Sequence, residues 1–149
     1  MKEIKHILVP IDFSDHSGAA LETATEIAKR FGAKVWLLHC YPIYAGGVTP
    51  YSIVTPARYY RDIRSEAERR LRQSQEKIEA EGVEAESSVS PTDPQEAIAR
   101  MATERGVDLI VMGTRGLTGF RHAMLGSVAE RTVRSAPCPV LTVKAEAPE

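Results

Sequence analysis

The 149-residue chain predicts an α/β fold: an open parallel sheet with helices on both faces. Three observations carry this expectation. Strand-like and helix-like segments alternate from one end to the other, as a parallel sheet with right-handed crossovers requires. Segments 6–11 (HILVPI) and 108–113 (DLIVMG) are almost wholly apolar, the mark of strands covered on both faces. No repeat, low-complexity tract or Pro/Gly-rich linker divides the chain, and its length suits a single domain over residues 1–149.

Segment 6–11 reads as the first strand. Ser14 or Asp15 then caps a helix to about residue 31, with Ala20, Ala24, Ile27, Ala28 and Phe31 on its apolar stripe and Gly32 as its stop. Residues 34–40 (KVWLLHC) form the second strand. A charged helix follows over 58–81, with Ile63, Ala67, Leu71 and Ile78 on one face and Gly82 at its end. Residues 83–89 alternate and read as an edge-like third strand. Asp93 caps the next helix, with Pro94 in its first position, and Gly106 follows its end near residue 105. Segment 108–113 is the fourth strand, apolar and central. A helix from about Ser127 to residue 136 stops at Pro137. Residues 139–144 (PVLTVK) are the fifth strand, with Pro139 at its start, where a missing N–H does least harm.

In such sheets ligands bind beyond the carboxyl ends of the strands, where strand order reverses. Three of these ends stand out: Pro10 and Asp12 after the first strand, a long loop from Tyr41 after the second, and the glycine-rich stretch from Gly113 after the fourth. In that last stretch Gly113 ends the strand, Gly116 lies three on, and Gly126 precedes Ser127 at a helix start. Glycine lets main chain approach a ligand and tolerates positive φ. A helix start adds unpaired N–H donors and partial positive charge. Ser127 is suited to capping that helix or to donating its hydroxyl to a phosphate. The plain alternative is a turn. The stretch is neither a Walker A motif nor a Gly-x-Gly-x-x-Gly fingerprint. Asp12 would repel a phosphate but suits a ribose hydroxyl; turn formation is its simpler role.

The spacing Gly113-x₂-Gly116-x₉-Gly126-Ser127 resembles the signature of the universal stress protein family. The flanks HILVPIDFSDHS, DLIVMGTRG and LGSVAERTVRSAPCPVLTVK are similar to that family's opening and closing halves, so the resemblance covers essentially the whole chain. It implies a five-stranded, Rossmann-like sheet of the adenine nucleotide alpha hydrolase-like type, in the order 3-2-1-4-5, which sets Asp12 beside Gly113. It also implies ATP binding, because family members with the full signature bind ATP. Carried over by position, Pro10 and Asp12 border adenine and ribose, and Cys40 offers backbone groups to the adenine edge. Met112 and Gly113 line the ribose. Gly116, Gly126, Ser127 and Val128 hold the phosphates, Arg115 adds charge, and Mg²⁺ or Mn²⁺ accompanies the phosphates. The resemblance further implies a homodimer through strand 139–144 and a nucleotide-dependent regulatory role. Ser90 and Pro91 stand where the family often has a glycine, away from the phosphates.

Net charge is -1, from 19 basic and 20 acidic side chains, which gives no electrostatic case for nucleic acid or an anionic membrane. No apolar run approaches the ~20 residues of a membrane span, the amino terminus does not read as a signal peptide, and Cys40 and Cys138 form no C-x-x-C. A reduced, cytoplasmic location is the expectation. Connection 41–57 far exceeds the usual ~2–6 residues and, with the first turns of the next helix, holds all five tyrosines. It reads as a nucleotide lid or as a self-packed or partner-contact loop. His6, His16, His39 and His122 lack metal-ligand spacing and read as surface or strand-end residues. Arg121 and His122 suit phosphate contact or a solvated loop tip. Slow ATP hydrolysis or phosphoryl transfer is a rival reading, although no general base stands out. An interaction protein that binds no nucleotide is another.

Overall fold

The computed structural model describes residues 2–41, 57–115 and 124–146. Its elements are β1 (His6–Pro10), α1 (Asp15–Phe31), β2 (Lys34–Cys40), α2 (Ala57–Glu79), β3 (Ala85–Ser90), α3 (Pro94–Glu104), β4 (Leu109–Gly113), α4 (Ser127–Ser135) and β5 (Val140–Val143). All pairings are parallel, and the sheet runs β3-β2-β1-β4-β5. The expected class and strand order are therefore both present.

Period-two alternation along each strand divides the core between the two faces of the sheet. Ile7, Val9, Val35, Leu37 and Val111 point to one face, where Ala20, Ala24 and Ala28 of α1 and Leu71 and Ile78 of α2 cover them. Leu8, Trp36, Leu38, Ile110 and Met112 point to the other, under Ala97, Ile98 and Ala102 of α3 and Ala129 of α4. β1 and β4 are buried on both faces, which is why their sequences show no polar alternation.

Helix ends follow their caps. Ser14 Oγ accepts from Ser17 N at 3.2 Å and starts α1; Gly32, at φ 66°, closes it in the left-handed conformation that suits glycine. Asp93 accepts from Gln95 N at 3.0 Å and starts α3. Phe31 departs from expectation: the last turn of α1 carries its ring to the surface, 50% exposed. β3 begins two residues later than the alternation suggests, because Val83 N–H is still bonded to Ile78 O, closing the end of α2. At α4 the cap is Gly126, in extended backbone, and no side chain caps the helix. Ser127 is the first helical residue, so its expected capping role is not seen.

Candidate functional site

The sheet order places the carboxyl ends of β1 and β4 side by side, with Ile7 opposite Leu109 and Leu8 opposite Ile110. The sequence points to residues leaving both strands at this reversal, and the fold brings them together. Pro10 ends β1 and Asp12 follows two residues on. Met112 and Gly113 end β4, and Arg115 follows. Gly126, Ser127 and Val128 return to the same end of the sheet at the start of α4. Gly126 N–H donates to Thr114 O at 2.7 Å, and Thr114 N–H donates to Val143 O at 2.9 Å. The start of α4 is thus tied to the exit of β4, and that exit to β5.

Gly126 has φ -62°, so positive φ is not why glycine stands there. Close approach is: a Cβ at 126 would lie 3.1 Å from Thr114 O and 3.4 Å from Arg115 Cα. Gly113 likewise keeps a negative or extended φ, and its missing side chain leaves room for α1. A Cβ there would meet the backbone carbon and Cβ of His16 at 2.8 Å. Packing against α1 accounts for Gly113 without a ligand. Gly116 lies outside the described residues, as do Arg121, His122 and nearly all of the tyrosine-bearing loop, residues 42–56.

Asp12 makes a local turn, accepting Ser14 N–H on Oδ1 at 3.0 Å. Cys40 ends β2 opposite Ser90 of β3 and packs toward α3. Burial, with a smaller contribution from the Asp93 charge, pushes its thiol up to about 12, so it is no thiolate nucleophile. The first turn of α4 presents main-chain N–H groups with no capping side chain across them. Their partial positive charge, with the Arg115 backbone held close to Gly126 in space, makes this corner suited to an anion, while the Asp12 turn on the neighbouring strand carries a carboxylate.

Three features at this corner escape sequence reasoning. His16 is a half-buried strut, not a surface residue: its Nδ1 accepts Ala145 N–H at 3.0 Å. Thr114 buries a hydroxyl that has no hydrogen-bond partner among the described residues. Phe13 adopts φ 64° between Asp12 and the α1 cap. Only the first carries a sequence signal, since a histidine in the first turn of a helix that packs on the sheet is placed to touch a neighbouring strand end.

No helix among the described residues is long and apolar enough to cross a membrane. The family model for the universal stress protein family matches residues 3–144. The universal stress protein MJ0531 of Methanocaldococcus jannaschii is 37% identical over 145 residues, covering 94% of this chain and 82% of its own. Among solved structures, MJ0577 of the same organism superposes with a TM-score of 0.85 at 27% identity, covering 99% of this chain and 100% of its own. A universal stress protein from Archaeoglobus fulgidus, solved in complex with dAMP, has a TM-score of 0.68 at 28% identity and covers 96% of this chain and 100% of its own. With sheet order, nearly full-length sequence similarity and superposition in agreement, this chain belongs to the universal stress protein family.

Proposed function

We propose that this protein binds an adenine nucleotide, ATP in the first instance, where the β1 and β4 ends meet, and that occupancy sets its regulatory state. The observation that carries the reading is the bond from Gly126 N–H to Thr114 O, which sets an uncapped helix start against the strand end beside Asp12. The dAMP-bound relative supports an adenine nucleotide as the ligand class. In this reading Gly116, Ser127 and Val128 hold phosphate oxygens through N–H groups and the Ser127 hydroxyl, and Arg115 adds charge. Gly126, expected from the sequence to donate its own N–H, instead gives it to Thr114 O and contributes only its missing side chain. Asp12 accepts from ribose hydroxyls, Pro10, Met112 and Gly113 line the sugar and base, and Cys40 offers main chain to adenine. A helix-end dipole contributes only ~0.3–1 kcal/mol at an exposed site, so affinity needs several N–H bonds together.

Mg²⁺ or Mn²⁺ would ride mainly on the phosphates, because no group of three or more His, Cys, Asp or Glu among the described residues is placed to hold a metal. We further assign a homodimer through β5, an edge strand, and a cytoplasmic location. Mass spectrometry of small molecules released from the purified protein tests the ligand. An adenine nucleotide is expected, and its absence both there and after incubation with ATP contradicts the proposal. Turnover of labelled ATP no faster than in Ser127→Ala is expected of a binding module.

A further inference from the structure

The turn that carries Asp12 contains Phe13, the one described non-glycine residue with positive φ, at 64°. An L side chain resists that conformation, so something must hold it. The Arg70 guanidinium of α2 lies 4.0 Å from the centroid of the Phe13 ring. The His39 ring, at the end of β2, lies 4.6 Å away, tilted by 40°. His39 is itself fixed, its Nδ1 2.7 Å from Ile11 O, and Ile11 N–H donates to Leu38 O at 2.8 Å. On the far side of Phe13, Ser14 N–H is bonded to Asp12 Oδ1 and Ser14 Oγ caps α1. The corner from Ile11 to Ser17 is therefore braced by two strands and two helices, and Asp12 sits inside it.

We infer that Phe13 is a positioning residue: clasped between Arg70 and His39, it holds the Asp12 carboxylate in the orientation that receives the ribose. This rests on the nucleotide reading above. A glycine at 13 would adopt the turn without strain but would leave it unclasped. Phenylalanine instead couples the turn to α2, the helix that follows residues 42–56. The clasp is a cation–π contact at a partly exposed site, so loss of Arg70 alone has a modest effect and loss of the ring a larger one.

The test uses the full chain and four variants, Phe13→Ala, Phe13→Tyr, Arg70→Met and Arg70→Lys. Two readouts are taken: hydrogen exchange of the Ser14 amide without ligand, and affinity for ATP and for 2′,3′-dideoxy-ATP. In Phe13→Ala, Ser14 exchange is expected to rise and ATP affinity to fall about tenfold, with dideoxy-ATP changed less than about twofold. Arg70→Met should cost about 2- to 5-fold for ATP. Phe13→Tyr and Arg70→Lys should restore most of the loss. Equal losses for both nucleotides would mean that Phe13 serves stability only and would overturn the inference, as would unchanged Ser14 exchange. A parent that binds neither nucleotide removes the ligand reading and the positioning role with it. A parent that binds ATP, with Phe13→Ala binding it equally well, removes only the positioning role.

Discussion

Gly126 and Thr114 are joined main chain to main chain: the Gly126 N–H meets Thr114 O at 2.7 Å, and a Cβ on residue 126 would stand 3.1 Å from that same oxygen. The close contact is with backbone, which cannot rotate aside. Alanine at 126 must therefore push the start of α4 away from the β4 exit by a few tenths of an ångström. Gly126→Ala should remain folded, lose about 1 kcal/mol in denaturant melts, and bind ATP more weakly than the parent. Unchanged stability together with unchanged affinity would show that the approach does not matter.

Gly113 faces a different neighbour. Its missing Cβ makes room for His16, so Gly113→Ala should destabilise the empty protein by about 1–3 kcal/mol. Thermal denaturation without nucleotide checks this. A variant as stable as the parent would return Gly113 to a purely ligand-facing role.

Ser127 separates capping from ligand contact. It does not cap α4, so Ser127→Ala should leave the melting profile within about 0.5 kcal/mol of the parent. Loss of a hydrogen bond to a charged phosphate should still weaken ATP by about tenfold. A large stability loss with full affinity would reverse the assignment.

Much of this architecture is legible in the sequence. The two apolar strands, the Ser14 and Asp93 caps and the Gly32 stop are local signals, and local chemistry decides them. The strand order came from the family signature, because no spacing rule fixes which strands are neighbours. The reasons for Gly113, Gly126 and Phe13 were not legible. Each depends on a side chain or carbonyl brought from elsewhere: His16 against Gly113, Thr114 against Gly126, and Arg70 with His39 against Phe13. Phe31 shows the converse error, a correctly spaced apolar residue placed where its helix leaves the sheet.

Asp108 links the two central strands at their opposite end. Its Oδ2 accepts Lys5 N–H at 2.9 Å and His6 N–H at 3.0 Å, and Lys2 Nζ lies 3.0 Å from Oδ1. Burial works against the carboxylate, yet these donors outweigh it and hold the group below its ordinary value of 3.8. A depressed value in the folded state means stabilisation that is present above pH 4 and fades as pH falls through the folded value. Asp108→Asn should cost about 1–3 kcal/mol at pH 7 and less at a pH well below the ordinary carboxylate value, in chemical denaturation at the two pH values. An equal cost at both would refute the electrostatic account.

β5 is an edge strand, and its Leu141 is 38% exposed. An uncovered apolar edge pairs readily, and a lysine on it opposes pairing. Light scattering should find the parent dimeric at micromolar concentration and Leu141→Lys monomeric. A monomeric parent would contradict the dimer.

The nucleotide seat itself is tested by calorimetric titration of ATP into the parent and into Gly126→Val, with circular dichroism confirming that the variant is folded. The parent should bind one ATP per chain and the variant none, because a branched side chain at 126 would fill the space at the start of α4. A folded Gly126→Val that binds as tightly as the parent, or a parent that gives no binding at all, would contradict the assignment of that helix start to the phosphates.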